Sequence, residues 1–145
     1  MQVRHILQGK GRDVMAVASS ATLMEAARLL SDKKIGALIV KNKNGALEGI
    51  ISERDLVQAI SRSGAAALDE SVADHMTRAP RTCIETDAVE TLMEVMTRGR
   101  FRHLPVLDDD MRLCGMVSIG DVVKIRIAET VNEAAALRDY ISATA

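Results

Sequence analysis

Two stretches of the chain carry the same polar side chains at the same spacing: Gly49-Ile-Ile-Ser-Glu-Arg-Asp55 and Gly115-Met-Val-Ser-Ile-Gly-Asp121. Each sets a hydroxyl, and three residues later a carboxylate, where an apolar strand gives way to an apolar-patterned helix. Two chemistries fit. In one, Ser-x-x-Asp is a capping box, in which the serine bonds the third backbone N–H and the acid reaches back. In the other, the free N–H groups and positive dipole end of the helix attract a phosphate. Ser52 or Ser118 then adds a donor to that phosphate, and Asp55 or Asp121 offers two acceptor oxygens to a ribose diol. The preceding glycine admits a close approach to the strand backbone. Spacing alone leaves both readings open.

The elements that position these residues occur twice. A single gapless offset carries Val14–Val57 onto the later part of the chain, with Lys33-Lys-Ile-Gly-Ala-Leu-Ile-Val40 falling on Gly99-Arg-Phe-Arg-His-Leu-Pro-Val106 and Leu47 on Leu113. A repeat of this length means two copies of one unit, with shared chemistry where the copies agree. The first copy reads as a strand at Val14–Val17, a helix over Leu23–Leu30 capped by Thr22 or Ser20, and a buried strand at Gly36–Val40. A turn at Asn42–Gly45, a strand at Ala46–Ser52 and a helix over Glu53–Ile60 complete it. The second copy repeats this β-α-β-β-α order: Arg81–Ile84, Val89–Thr97, His103–Leu107, the Asp108–Asp110 turn, Arg112–Ser118 and a helix from Ile119. Ser63-Gly-Ala-Ala-Ala67 reads as a permissive linker. Ser71–Met76 reads as a short helix leading into the second copy, with Val3–Leu7 as its counterpart before the first.

The last helix runs on to Ala143 without Gly or Pro. Val123, Ile127, Val131, Ala134, Leu137 and Ile141 form a stripe along it at spacings of three to four. This stripe either packs back on its own module or joins two subunits.

Composition narrows the function classes. A chain of 145 residues with net charge −1 carries no global field to recruit nucleic acid or an anionic membrane. One Phe and one Tyr leave no stacking surface for single strands. No apolar leader or membrane-length run is visible, so a cytoplasmic protein is expected. Cys83 and Cys114 lie in apolar stretches and read as buried or half-buried thiols, with a redox role as the alternative. His5, His75 and His103 show no metal-ligand spacing, and nothing pairs a nucleophile with a base, so neither a metal site nor catalysis is expected.

The duplicated β-α-β-β-α unit with its terminal G-h-h-[ST]-x-x-D, where h is apolar, resembles tandem cystathionine-β-synthase (CBS) domains, the Bateman module. The resemblance spans roughly Gly11–Ser61 and Thr77–Thr130, includes Met76-Thr77 before the second copy, and is nearest to stand-alone bacterial two-CBS proteins. It implies an α/β (α+β) fold of two repeats packed around a pseudo-two-fold axis, with a long C-terminal helix added. The expected division is a first repeat with lead-in helix over 1–66, a second over 67–130 and an extension over 131–145. Between the repeats, two clefts would take adenine ligands such as AMP, ADP, ATP, S-adenosylmethionine or NAD(H), and modules would pair as homodimers.

Carried over by residue, Asp55 and Asp121 would hold ribose, while Ser52 and Ser118 meet phosphate beside Glu53, Arg54 and Gly120. Ile50 and Met116 would line the base pocket. Lys34, Ile35, Gly36 and Ala37, with Arg100, Phe101, Arg102 and His103, would face the ligands. Val14, Met15 and Ala16, with Arg81, Thr82 and Cys83, would close the base ends. Arg100, Arg102, His103 and Lys124 belong to the second copy, so the Asp121 site is expected to hold phosphate more tightly. The function implied is a non-catalytic sensor that signals to an unidentified protein partner. A dimerisation scaffold whose motifs are only helix caps is the alternative.

Overall fold

The computed structural model describes residues Met1–Thr144; Ala145, the last residue of the expected extension, lies outside them. In chain order the elements are α1 (Val3–Lys10), β1 (Ala16–Ala18), α2 (Leu23–Lys33), β2 (Ala37–Lys41), β3 (Leu47–Ser52) and α3 (Glu53–Ser63). There follow 3-10 turns at Gly64–Asp69 and Val72–Asp74, then β4 (Thr77–Arg78), β5 (Cys83–Ile84), α4 (Val89–Gly99), β6 (His103–Leu107), β7 (Leu113–Ser118) and α5 (Ile119–Thr144). Two small sheets result, ordered β1-β2-β3-β4 and β5-β6-β7. In each, the first pair is parallel across a helical crossover and the second pair antiparallel across a tight turn.

The two copies agree in backbone detail where their sequences differ. Ala37 faces Ser52 as His103 faces Ser118, and the ladder slips at Val40/Lys41 as at Val106/Leu107. Asn42 Oδ1 accepts from the Asn44 and Ala46 N–H groups, and Asp108 Oδ1 from those of Asp110 and Arg112. Such side-chain acceptors make the turns local. Gly45 and Met111 share positive φ, as do Lys34 and Arg100 at the ends of α2 and α4. The left-handed conformation is thus set by position in the unit rather than by glycine.

The lead-in segments are exchanged. Val3 and Arg4 N–H donate to Asp87 O (3.0 Å) and Glu85 O (2.9 Å) of the second copy, while Val72 and Ala73 donate to Ala21 O (2.8 Å) and Ser19 O (3.0 Å) of the first. The start of α2 is met by Glu70 O and that of α4 by Met1 O. Val3, Ile6 and Leu7 accordingly belong to the core with Cys83, Leu92, Leu104 and Val117. Val72 and Met76 join Leu23, Leu38, Ile51 and Leu56 in the other core. Each lead-in segment therefore packs on the copy it does not precede.

Two expectations change here. The stretch Ser63–Ala67 is no loose linker: Gly64 ends α3, a 3-10 turn follows, and Ala67 is fully buried in the first core. Of these residues only Ala67 packs inside; Ser63, Gly64, Ala65 and Ala66 are exposed. The helix expected at Ser71–Met76 is only the turn Val72–Asp74, because the chain leaves it to add the strand β4 beside β3.

The motif glycines find their reason in the same exchange. A Cβ on Gly49 would stand 2.6 Å from Thr77 O and 2.8 Å from Met76 Sδ, and one on Gly115 would stand 2.8 Å from Leu7 Cδ2. The close approach is made by the lead-in segments. Gly49→Ala is expected to lose about 1–3 kcal/mol in urea unfolding, because backbone must move. Gly115→Ala should lose less, since Leu7 can rotate. Equal losses would show that the Thr77 backbone yields as readily as a side chain.

Candidate functional site

A cavity of about 470 Å³ opens between the copies. The first copy contributes Gly36 and Ala37 where β2 begins, Ile50 and Ser52 from β3, Glu53, Arg54 and Asp55 from the first turn of α3, and Thr77 from β4. The second contributes Arg100, Phe101, Arg102 and His103 from the turn between α4 and β6, with Ile119 at the start of α5. The size suits a small organic ligand.

Local sequence makes the floor. Ser52 N–H and Oγ–H donate to Asp55 Oδ2 at 2.8 and 3.1 Å, closing the capping box at α3. The next N–H, of Glu53, is taken by Gly36 O at 3.0 Å. Ser118 repeats this on Asp121 Oδ2 at 2.9 and 3.0 Å, and Ile119 N–H donates to Arg102 O at 2.8 Å. Both motifs are therefore real caps. Among the described residues, Asp55 has hydrogen bonds from Ser52 alone, and only to Oδ2. Asp55 lines the cavity.

The wall opposite is cationic. Arg54 Nη1 donates to Arg100 O at 3.2 Å, tying the first turn of α3 to the other copy's turn. Phe101 folds back over Gly99, its ring 1.9 Å from where a Cβ would stand. The His103 ring lies 3.3 Å from the corresponding point on Gly36, with Glu53 also close. Burial lowers the His103 pKa, helped by Lys10 and Arg102 and opposed by Asp121 and Glu53, so the ring is neutral near pH 7.

The cations expected beside Asp121 thus line the cavity with Asp55, because the turn that carries them crosses between copies. Lys124 is exposed on α5 and is not part of this lining. At Asp121 a different group stands. Lys10 Nζ donates to Asp121 Oδ2 at 2.7 Å and to Met116 O at 3.0 Å. Burial raises the Asp121 pKa, but hydrogen bonds from Lys10 and Ser118 and the Lys10 charge outweigh it and hold the carboxyl below its usual range.

Of the remaining expected residues, Val14, Met15 and Ala16 edge the first sheet, with Met15 and Ile35 against the first core. Lys34, Arg81, Thr82 and Gly120 are exposed. Cys83 is buried in the second core, its thiol pushed up to about 12 by burial, with Asp87 and Cys114 adding to the rise. A thiol ionising near 9 when unfolded and near 12 when folded supports the fold below pH 9 and ceases to as pH climbs toward 12. Cys83→Ala is expected to flatten that alkaline fall in a stability–pH profile; an unchanged slope would assign it to other groups. Thr77, Ile119 and Lys10 were not foreseen. Ile119 sits inside the motif itself, and Thr77 directly follows Met76, but no local pattern marks Lys10.

Among the described residues, no helix is long and apolar enough to cross a membrane. A family model described as CBS domain matches residues 3–62 and 72–128. The solved CBS-domain containing protein from Agrobacterium tumefaciens is 46% identical, with 86% of this chain and 92% of that one covered and a TM-score of 0.84. A mitochondrial CBS domain-containing protein of Arabidopsis thaliana is 32% identical over 96% of this chain and 71% of its own length. The chain spans 66%, 71% and 58% of the lengths of the first three curated relatives. A CBS domain protein from Pyrobaculum aerophilum, solved in complex with AMP, is 25% identical, with 83% and 89% covered and a TM-score of 0.74. A further CBS domain pair, 26% identical with 89% and 98% covered and a TM-score of 0.78, was solved with 5′-methylthioadenosine and S-adenosylmethionine.

Proposed function

Because the chain belongs to the CBS-domain family and carries two such domains in tandem, we propose that it is a non-catalytic regulatory module. It binds an adenine nucleotide in the cavity beside Asp55 and passes the change to a protein partner. The observation that carries this reading is the cavity's composition: Asp55, apolar Ile50 and Ile119, and Arg54, Arg100 and Arg102 line one volume. Ribose, base and phosphate each find a matching group there. Three guanidinium groups favour AMP, ADP or ATP over the sulfonium of S-adenosylmethionine, whose charge they repel. NAD(H) has the adenosine and phosphates but asks for more room. The ligand touches both copies at once, so binding alters how they sit together.

The test has two parts. Small molecules released on denaturation are identified by mass spectrometry, and melting curves are recorded with AMP, ATP, NAD(H) and S-adenosylmethionine. Stabilisation should grow as RT ln(1 + [L]/Kd) for the phosphorylated ligands. No released nucleotide and no shift with any of them would sink the reading. One observation favours the alternative of a scaffold: Ser52 and Asp55 already satisfy each other as a helix cap. A scaffold would melt identically with and without nucleotide.

A pH dependence follows from His103. Phosphate beside the ring favours its protonated form, so binding takes up a proton, and affinity rises as pH falls from about 8 to about 6. Phosphate's own titration works the other way, so the comparison that matters is with His103→Gln. In titration calorimetry with AMP, the wild type should gain more affinity over this range than the variant. Parallel profiles would remove His103 from the site.

The module is also read as a homodimer. Val57 and Ile60 on α3, and Val123, Ile127, Val131, Leu137 and Ile141 on α5, are exposed apolar side chains. The stripe expected on the last helix does not pack back on its own module, and a second copy is the occupant proposed for it.

A further inference from the structure

Among the described residues, the lysine that meets Asp121 has no counterpart at Asp55. We propose that Lys10 is a latch on the Asp121 cleft, so that the chain takes one nucleotide, beside Asp55, and the second cleft opens only when Lys10 is displaced. This rests on the reading that these clefts bind adenine nucleotides.

Asp121 and Met116 occupy in the second copy the positions of Asp55 and Ile50 in the first, and both first-copy residues line the open cavity. Lys10 Nζ gives one N–H to the Asp121 carboxylate and another to Met116 O. A ribose hydroxyl would have to bring its donor to the same carboxylate. The lysine therefore stands in for the ligand at the group expected to recognise it. Lys10 is exposed, but the helix that carries it is anchored. Lys10 ends α1, which Leu7 seats against Gly115, and the Met1 ammonium meets Glu129 of α5 at 3.4 Å.

The first cleft has no such group. Its lead-in continues into β4, where Thr77 adds to the cavity lining and Arg78 turns away to Glu48 (3.2 Å) and Ala73 O (3.4 Å). The exchange of lead-ins thus puts a threonine in the lining beside Asp55 and a lysine on the carboxylate of Asp121.

The experiment counts AMP per chain by native mass spectrometry in wild type and Lys10→Met, which keeps the aliphatic stem. Lys10→Ala serves as a second variant if the first folds poorly. In parallel, the Asp121 carboxyl is titrated by ¹³C NMR without nucleotide. One AMP on the wild type and two on the variant, with the Asp121 pKa rising on substitution, is the expected result. None on the wild type and one on the variant supports the latch while removing the Asp55 cavity as a site. Two on the wild type, or one on both, overturns the latch and leaves nucleotide binding standing. AMP bound by neither protein overturns both, and an Asp121 titration that Lys10→Met does not move overturns the latch alone.

Discussion

Asn in place of Asp55 is expected to weaken AMP binding by roughly 10- to 100-fold while leaving the ligand-free protein nearly as stable as before. The two effects separate because the carboxylate has two oxygens with different duties. Oδ2 receives Ser52 N–H and Oγ–H and closes the cap at α3. An asparagine carbonyl can accept the same bonds, so the helix start survives. What the amide loses is the second acceptor and the charge. Hydrogen bonds to a charged group contribute about 1.5–3 kcal/mol, and each 1.4 kcal/mol is tenfold in affinity. Isothermal titration with AMP and urea unfolding without it read the two quantities independently. Asp121→Asn in the same assay should change affinity little, because Lys10 already holds that carboxylate. If Asp55→Asn binds AMP as well as the wild type does, the aspartate is a cap and nothing more.

The second large effect concerns assembly. Leu137→Glu is expected to turn a dimer into a monomer over the micromolar range, seen by sedimentation or light scattering. Leu137 is 60% exposed, as are Ile127 (60%) and Val131 (61%), and every described residue after Thr130 is exposed. A helical segment this short with no tertiary contact is marginal in water. Covering it with an equal segment from a second copy removes the apolar stripe from solvent and stabilises the helix together. Full burial of a leucine contributes about 1.5–3 kcal/mol, and a symmetric interface holds the residue twice. A dissociation constant raised on the order of 10²–10⁴-fold follows, with loss of helical signal from the end of α5. A wild-type chain that is already monomeric would refute the interface.

Periodicity and repeat alignment made most of the elements legible, since the apolar positions of Leu23–Leu30 and Gly36–Val40 admit few alternatives. The recurrence of Ser52/Asp55 at Ser118/Asp121 located both helix starts. What escaped was relational. Gly49 and Gly115 announce a close approach but not its partner, which turned out to be the chain's own lead-in segments. Arg100, Arg102 and His103 belong to the second copy in sequence, yet the turn bearing them lines the cavity beside Asp55, a matter of how the copies face each other. In Ser63–Ala67 the small residues are compatible with both loose chain and a 3-10 turn, and the burial of Ala67 alone ties the turn to the first core. Lys10 lies 106 residues from Met116, whose carbonyl it meets, and no local pattern reports such a contact.

That separation has a consequence for synthesis. The first copy's core needs nothing beyond Met76, so it can close while the rest is still being made. Helix α1 emerges before either copy, but its apolar residues Val3, Ile6 and Leu7 belong to a core built from Cys83 through Val122. At roughly 5–20 residues per second, the 106 residues between Lys10 and its partner take about 5 to 20 s to appear. Throughout that interval α1 must wait with its sticky face unburied, open to chaperones or to a neighbouring chain on the same message.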